Sequence, residues 1–371
     1  MTRTADSGEP RRLLVCGTGN FAARMLLDIA AVAKRPTTVY LSGRNGERLA
    51  HLVMLANARA AAFDRPLSVV ASLADLENPD AAEELVGQIQ PHVVLQAAST
   101  QTVSVLRSGG SGWMDLVRDA GYSVTMVFQA LITMRVARAI RTVRPEAALF
   151  NCCFPDVVNS VVKAAGLPIL SGVGNIAILA SVLRASLPPE RRGSLRMLAH
   201  YRNLKDWRAA QAQRTGPAPR VWLDQQEVAD VYGTFADCRL TSEPVPDISA
   251  GSAALPVLSV LHGADWRGHL PGCLGLPGGY PAAVKAGHLD LDLPDGISRE
   301  EAVRWNARFE EEDGVVVDHA GHVRYTGRTR ATLASYSREL AAGFHVDDLG
   351  EAWKAMSALR DDLSKQDAAA G

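Results

Sequence analysis

The chain has 371 residues, with 39 Lys and Arg against 40 Asp and Glu and a formal charge of -1, so no basic field draws it toward nucleic acid or an anionic membrane and the expected partner is a small molecule. The opening "MTRTADSGEP" lacks the apolar core of a signal peptide, and no run approaches the ~18 apolar residues of a membrane span. The five cysteines, Cys16, Cys152, Cys153, Cys238 and Cys273, form no C-x-x-C pair, which favours reduced thiols in a cytoplasmic protein over a structural zinc site.

Residues 13–16, "LLVC", are short, apolar and partly β-branched, as a strand buried on both faces requires. Gly17, Gly19 and Ala22 follow in a G-x-G-x-x-A turn, and Met25, Leu26, Ile29 and Ala30 recur at helical spacing. Strand, glycine turn and helix together are the setting of a dinucleotide fingerprint, with Gly17, Gly19, Asn20 and Phe21 at the pyrophosphate. A tight βα turn without a ligand is the alternative.

A second strand, 38–41, ends in Ser42-Gly43-Arg44-Asn45. NAD sites usually place a carboxylate here for the adenine ribose. A serine hydroxyl and a guanidinium instead suit a 2′-phosphate, so the sequence predicts an NADP site using Ser42, Arg44 and Asn45. Arg48 is either a further contact or an ordinary surface residue.

Next in order come a helix over 47–63, a strand in "PLSVVASLAD", a helix over 78–90 and a strand over 92–95. Ligands in doubly wound sheets sit beyond the strands' carboxyl ends, which assigns Ala97, Ala98 and Ser99 to the cleft. The glycine-rich "RSGGSGWMDL" (107–116) reads either as a loop over the active site or as a plain surface loop. A helix over 123–143, a strand over 147–151, a helix over 156–165 and the strand-turn "PILSGVGN" complete the alternation. The fold class is therefore α/β, a Rossmann-type doubly wound parallel sheet over residues 1–190. Beyond it the chain grows irregular, which predicts an α+β substrate domain over 191–371. There "VVVDHAGHVRYT" reads as a hairpin with His319 and His322 exposed at its turn, Ser298 and Glu301 as a capping box, and "GEAWKAMSALRDDLSK" as the last helix. The tail "DAAAG" reads as unstructured.

From about 13 to 207 the chain resembles the superfamily of the lactate and malate dehydrogenases and the NAD-dependent, metal-using glycoside hydrolases. The resemblance rests on the glycine turn, "LQAAST", "FNCCFPDVVNSVVKAAGLPIL", "SGVGNIAI" and "LAHYRNLKDW". It implies that Asn151, with Pro155, caps the fifth strand near a nicotinamide, and that His200 matches the family's acid/base or metal-binding histidine. It also carries a homodimer as a prior. Two departures stand out. Where the hydroxy-acid dehydrogenases have an orienting aspartate and a carboxylate-gripping arginine, this chain has Ile176-Ala177-Ile178-Leu179, and where the glycosidases have a cysteine ligand it has Gly174.

Proton transfer to a carbonyl or imine needs a donor beside the acceptor atom. "HYRN" supplies His200 and Tyr201; a continuing strand would set Tyr201 and Arg202 on opposite faces, so that at most one of them shares a pocket with His200. Tyr280, in "LPGGYPAAVKAG", reads as a phenol on a flexible glycine loop or as a buried anchor. His262, Asp265 and His269 lack the placement of a metal site. The sequence therefore predicts an NADP-dependent oxidoreductase reducing a carbonyl or imine of a small metabolite. The alternatives are an enzyme that uses bound cofactor transiently for elimination, hydrolysis or epimerisation, and a non-catalytic NADP-binding sensor.

Overall fold

The structure, a computed structural model, describes residues 9–101, 111–241 and 245–368. Its central sheet joins β1 (Arg11–Cys16), β2 (Thr37–Gly43), β3 (Leu67–Leu73), β4 (Val93–Gln96), β5 (Ala148–Asn151) and β6 (Ser171–Gly172). All are parallel, in the order β3-β2-β1-β4-β5-β6. This is a doubly wound parallel sheet, the class read from the sequence, and its order opens a crevice where it reverses, between β1 and β4.

The crossovers are α1 (Asn20–Val32), α2 (Gly46–Ala62), α3 (Ala81–Ile89), α4 (Gly112–Ala120), α5 (Met126–Val143) and α6 (Pro155–Ala164), and α7 (Ile176–Ser186) follows β6. Ser111 caps α4 by accepting the Met114 amide N–H, so the latter part of the glycine-rich piece is the start of a helix. Residues 107–110 lie outside the described residues. The helical stretch over 122–143 is long and apolar enough to cross a membrane, yet 89% of that window is buried inside the protein. It serves as a core helix, packed on α3, α6 and α14 (Leu349–Ala368).

Beyond the sheet the chain forms three small antiparallel sheets. One holds β7 (Arg196–Leu198), β8 (Arg220–Leu223) and β9 (Gln226–Glu227), and a second β10 (Trp266–Pro271), β11 (Gly279–Lys285) and β12 (His288–Leu291). The third holds β13 (Val315–Val317), β14 (His322–Tyr325) and β15 (Phe344–His345). The turn between β13 and β14 leaves His319 and His322 exposed, as expected. One-turn helices α8 (Asn203–Asp206), α9 (Val231–Thr234) and α13 (Arg338–Ala341) accompany the longer α10 (Pro246–His262), α11 (Arg299–Asp313) and α12 (Gly327–Tyr336). Ser298 caps α11 through the Glu301 amide at 3.1 Å. Of the tail, Asp367 and Ala368 belong to α14 and residues 369–371 lie outside the described residues.

The hydrophobic cores are not divided at residue 190. Leu13 and Leu26 share a core with Ala253 and Val257 of α10, and Leu14 and Ile140 share another with Met356 and Leu363 of α14. Alanines at 250, 253 and 254 let α10 run close along α1. A third core, around Ile176, Met197, Trp207 and Val221, lies under the β7-β8-β9 sheet.

Candidate active site

The carboxyl ends of β1, β4 and β5 meet at the crevice. Gly17 has φ +114°, and a Cβ there would stand 3.0 Å from the backbone of Ala97 and Ala98, so glycine lets the first turn press against the end of β4. Gly19 is exposed, and a Cβ there would meet nothing within 4 Å. As N-cap of α1 it offers no side-chain cap, and no acid stands in the first turn. Free amide donors and the positive end of a 13-residue helix thus face open space, an arrangement that fits a pyrophosphate. Asn20 is exposed beside it and Phe21 half-buried.

At the end of β2 the predicted contacts separate. The strand runs on through Gly43, which holds Ser42 in the ladder between Cys16 and Ser72. Ser42 is fully buried and its hydroxyl has no partner, so it is withdrawn from the surface on which a 2′-phosphate would lie. Asn45 spends its side chain capping α2. Arg44 is exposed and pairs with Glu77 at 2.6 Å. Arg48 donates to the Thr18 carbonyl and to Asn20 Oδ1, both at 3.3 Å, tying the two helix starts together.

Two buried amides hold the floor. Gln96 donates to the Ala98 carbonyl at 2.6 Å and accepts the Ala98 N–H at 3.1 Å, which fixes the half-buried Ala97-Ala98 turn. Asn151 does the same for Cys153 and also bonds Thr133 and Asn159. Both lone pairs of its oxygen and both N–H donors are used. Asn151 is therefore a scaffold beneath the crevice with no polar group left to offer a nicotinamide. Cys16 and Cys153, also here, are pushed by burial up to about 12, far from thiolate reactivity.

His200 stands just beyond β7. The chain turns at this point instead of continuing as a strand, with the His200 carbonyl accepting the Asn203 N–H at 2.9 Å. Its ring is 1% exposed, stacks on Phe309 at 5.4 Å, and accepts the Arg202 amide N–H on Nδ1 at 3.3 Å. That bond leaves Nε2 as the protonated nitrogen of the neutral ring. Nε2 has no hydrogen-bond partner and lies 3.8 Å from Glu310 Oε1 near the end of α11.

Asp156, in the first turn of α6, and Asp313, at the end of α11, complete the group. Asp156 is fully buried, accepts a bond from Asn175 Nδ2, and leaves Oδ1 unpartnered; Glu310 Oε1 and Asp313 Oδ2 are likewise unpartnered. The flanking backbone is unusual, with Phe154 at φ +45° and Asn175 at φ +42°, left-handed values that cost of order 1–3 kcal/mol each and gather at functional sites. Burial pushes Glu310 up to about 8 and Asp313 up to about 6. It raises Asp156 too, against the opposing pull of His200. Burial also holds His200 below its ordinary range, against the pull of Asp156 and Asp313. Desolvation disfavours every charged form here, so His200 and Glu310 face each other as neutral groups near pH 7.

The two tyrosines part company. Tyr201 is half-buried beside His200, its ring 6.0 Å from the imidazole and edge-on to Phe154 at 6.2 Å. Tyr280 is not on a flexible loop. It is a fully buried residue of β11, and its hydroxyl donates to the Pro277 carbonyl at 2.6 Å. The glycines beside it serve packing, since a Cβ on Gly279 would collide with Ile176. No cluster of metal-ligating side chains occurs among the described residues. His262 bonds Thr37 Oγ1 at 2.9 Å, and His269, buried apart from it, is pushed down to about 3.

Sequence reasoning missed Asp156, Glu310 and Asp313. Helical phase carried a signal for the last two, because the buried stripe Ala302, Asn306, Phe309 continues into 310 and 313.

No family model matches the chain, and no curated protein matches it. Solved structures do. An apo malate dehydrogenase from Picrophilus torridus aligns at a TM-score of 0.50 and 12% identity, over 82% of this chain and 96% of that one. A lactate dehydrogenase from Eimeria maxima with NADH and oxamate gives 0.47 and 14%, over 82% and 93%, and a malate dehydrogenase from Salinibacter ruber 0.46 and 12%, over 95% and 99%. On the first of these alignments the chain has the fold of a malate dehydrogenase, in a divergent version.

Proposed function

We propose that the protein is a nicotinamide-dinucleotide-dependent oxidoreductase that uses NADP(H) and reduces a carbonyl or imine of a small molecule. The observation that carries this reading is the buried group of Asp156 in the first turn of α6, His200 just beyond β7 and Glu310 near the end of α11, with α6 starting at the same carboxyl edge of the sheet as the open N-terminus of α1. In the fold these two places flank one crevice, where ligands of doubly wound sheets bind.

Bound there, a nicotinamide dinucleotide would supply the hydride. The chain would do the rest. Gly17, Gly19 and the first amides of α1 would hold the pyrophosphate, and Arg44 would hold the 2′-phosphate after releasing Glu77. Opening that exposed pair costs little, since such bridges are worth about 0–1 kcal/mol. His200 would direct Nε2–H at the acceptor atom and polarise it as a neutral imidazole. Glu310, which keeps its proton to about pH 8, would hand that proton to the acceptor's oxygen or nitrogen as the carbon is reduced.

The test is calorimetric titration of cofactor-stripped protein with NADPH and NADH, beside Arg44→Ala. The expected result is a preference of roughly tenfold or more for NADPH that disappears in the variant. Binding of neither nucleotide would overturn the reading. Equal binding of both would remove the NADP assignment and leave a nicotinamide site.

A further inference from the structure

The substrate-facing group has the wrong sign for the acids that lactate- and malate-type sites grip. Glu310 Oε1 lies 3.8 Å from His200 Nε2, and Asp156 and Asp313 are near enough to act on the same imidazole. The cation that acts on Asp313 and His200 from this side is Arg202, whose Nη2 is already 3.3 Å from Glu312. A carboxylate ligand would meet like charge at Asp313, raised only to about 6, and would find unpartnered carboxyl oxygens beside the one ring donor, His200 Nε2–H.

The orphaned atoms say what would satisfy the site. Asp156 Oδ1 and Glu310 Oε1 belong to side chains at least nine-tenths buried, and each lacks a hydrogen-bond partner, as does the half-buried Asp313 Oδ2. Leaving buried acceptors unpaired is costly, and a ligand that brings several N–H donors with a positive charge removes that cost. Beside them the Tyr201 and Phe154 rings form an apolar flank suited to the carbon body of such a ligand.

We infer that Asp156, Glu310 and Asp313 form a receptor for a positively charged nitrogen, so that the substrate is an imine or amine and not a 2-oxo acid. As a substrate site it rests on the oxidoreductase reading above. A neutral imine entering it takes the Glu310 proton, and the resulting iminium is held by the carboxylate left behind; an ammonium ion entering it displaces that proton to solvent. The titratable groups facing Glu310 are His200, Asp156, Asp313 and Tyr280, with Arg202 and Glu312 behind them.

The experiment uses the whole protein with n-butylamine, n-butanol and butyrate as probes, followed by calorimetry in buffers of different ionisation enthalpy and by ligand-observed NMR, with and without saturating nucleotide. Butylamine should bind at least roughly tenfold more tightly than the other two, with proton release near pH 7. The near-isosteric Glu310→Gln and Asp313→Asn should each lose about tenfold for the amine alone, and Glu310→Gln should abolish the proton release. Butyrate binding as tightly as the amine, or amine affinity unchanged in both folded variants, would overturn the receptor. Nucleotide binding without a carboxyl-dependent amine site sinks this inference and spares the oxidoreductase; the reverse result spares the receptor and sinks the oxidoreductase.

Discussion

Replacing Glu310 by glutamine should make the protein more stable at neutral pH, and the gain should grow with pH. Burial raises this carboxyl from 4.5 to about 8 in the folded chain. A carboxyl raised on folding binds more protons in the native than in the unfolded state. Its contribution to stability is therefore complete below 4.5 and is lost as pH rises toward 8. Each pH unit inside that window is worth up to about 1.4 kcal/mol. Between pH 6.5 and 8, allowing for rounding near the folded value, the wild type should lose about 1.5–2 kcal/mol through this one group.

Neighbouring titrations leave the window clear. Asp313, at about 6, has lost most of its share by then. His200 and His269 are lowered, so their contributions rise with pH below about 6.5 and level off above it. The buried thiols matter only toward alkaline pH. Urea unfolding of wild type and Glu310→Gln at half-unit steps from pH 6.5 to 8 checks the argument. A difference between the two that stays constant over the range would refute it, because the buried carboxyl would then not be protonated in the native protein.

Other expectations follow from the same geometry. His200→Ala should lower turnover of any substrate found by about 10²–10⁴-fold and leave nucleotide affinity within about twofold, which stopped-flow kinetics beside calorimetry would measure; unchanged turnover would make His200 a structural residue. Gly17→Ala, forced to a positive φ against the Ala97-Ala98 backbone, should cost more than about 1 kcal/mol of stability and weaken nucleotide binding, seen as a lower melting temperature and a smaller shift on adding NADPH. Tyr280→Phe should cost about 1 kcal/mol for the lost bond to Pro277 without changing catalysis; a large kinetic effect would return Tyr280 to the active site.

The half that builds the β1–β6 sheet was readable because its signals are local. Strands such as Leu13–Cys16 are apolar throughout, helices such as α1 and α2 carry a 3.6-residue stripe, and Gly17 and Gly19 punctuate the turn between. What governs the second half is long-range. Gly278 and Gly279 look like a hinge in sequence, yet Gly279 is small because Ile176, a hundred residues earlier in the chain, fills the space its side chain would need. Ser42 and Arg44 read as one phosphate-binding pair, and only the extra length of β2 turns the serine inward. Within Glu310-Glu311-Glu312-Asp313, charge alone marks a solvated surface; the helix phase decides that the first is buried and the two between are exposed.

The shared cores set the order in which the molecule can be completed. The β1–β6 sheet is finished by residue 172, but α10 is the cover that packs along α1, and α14 the one that packs on α5. A chain emerging from the ribosome therefore holds the whole crevice at the carboxyl edge of the sheet well before it holds the helices that close both faces of the sheet. Until residue 262, and then the last turns of α14, are made, apolar surface on α1 and α5 has no native cover. During synthesis this protein should depend on chaperone protection for most of its length, and cutting it near residue 190 should give fragments that associate or aggregate in place of two soluble domains.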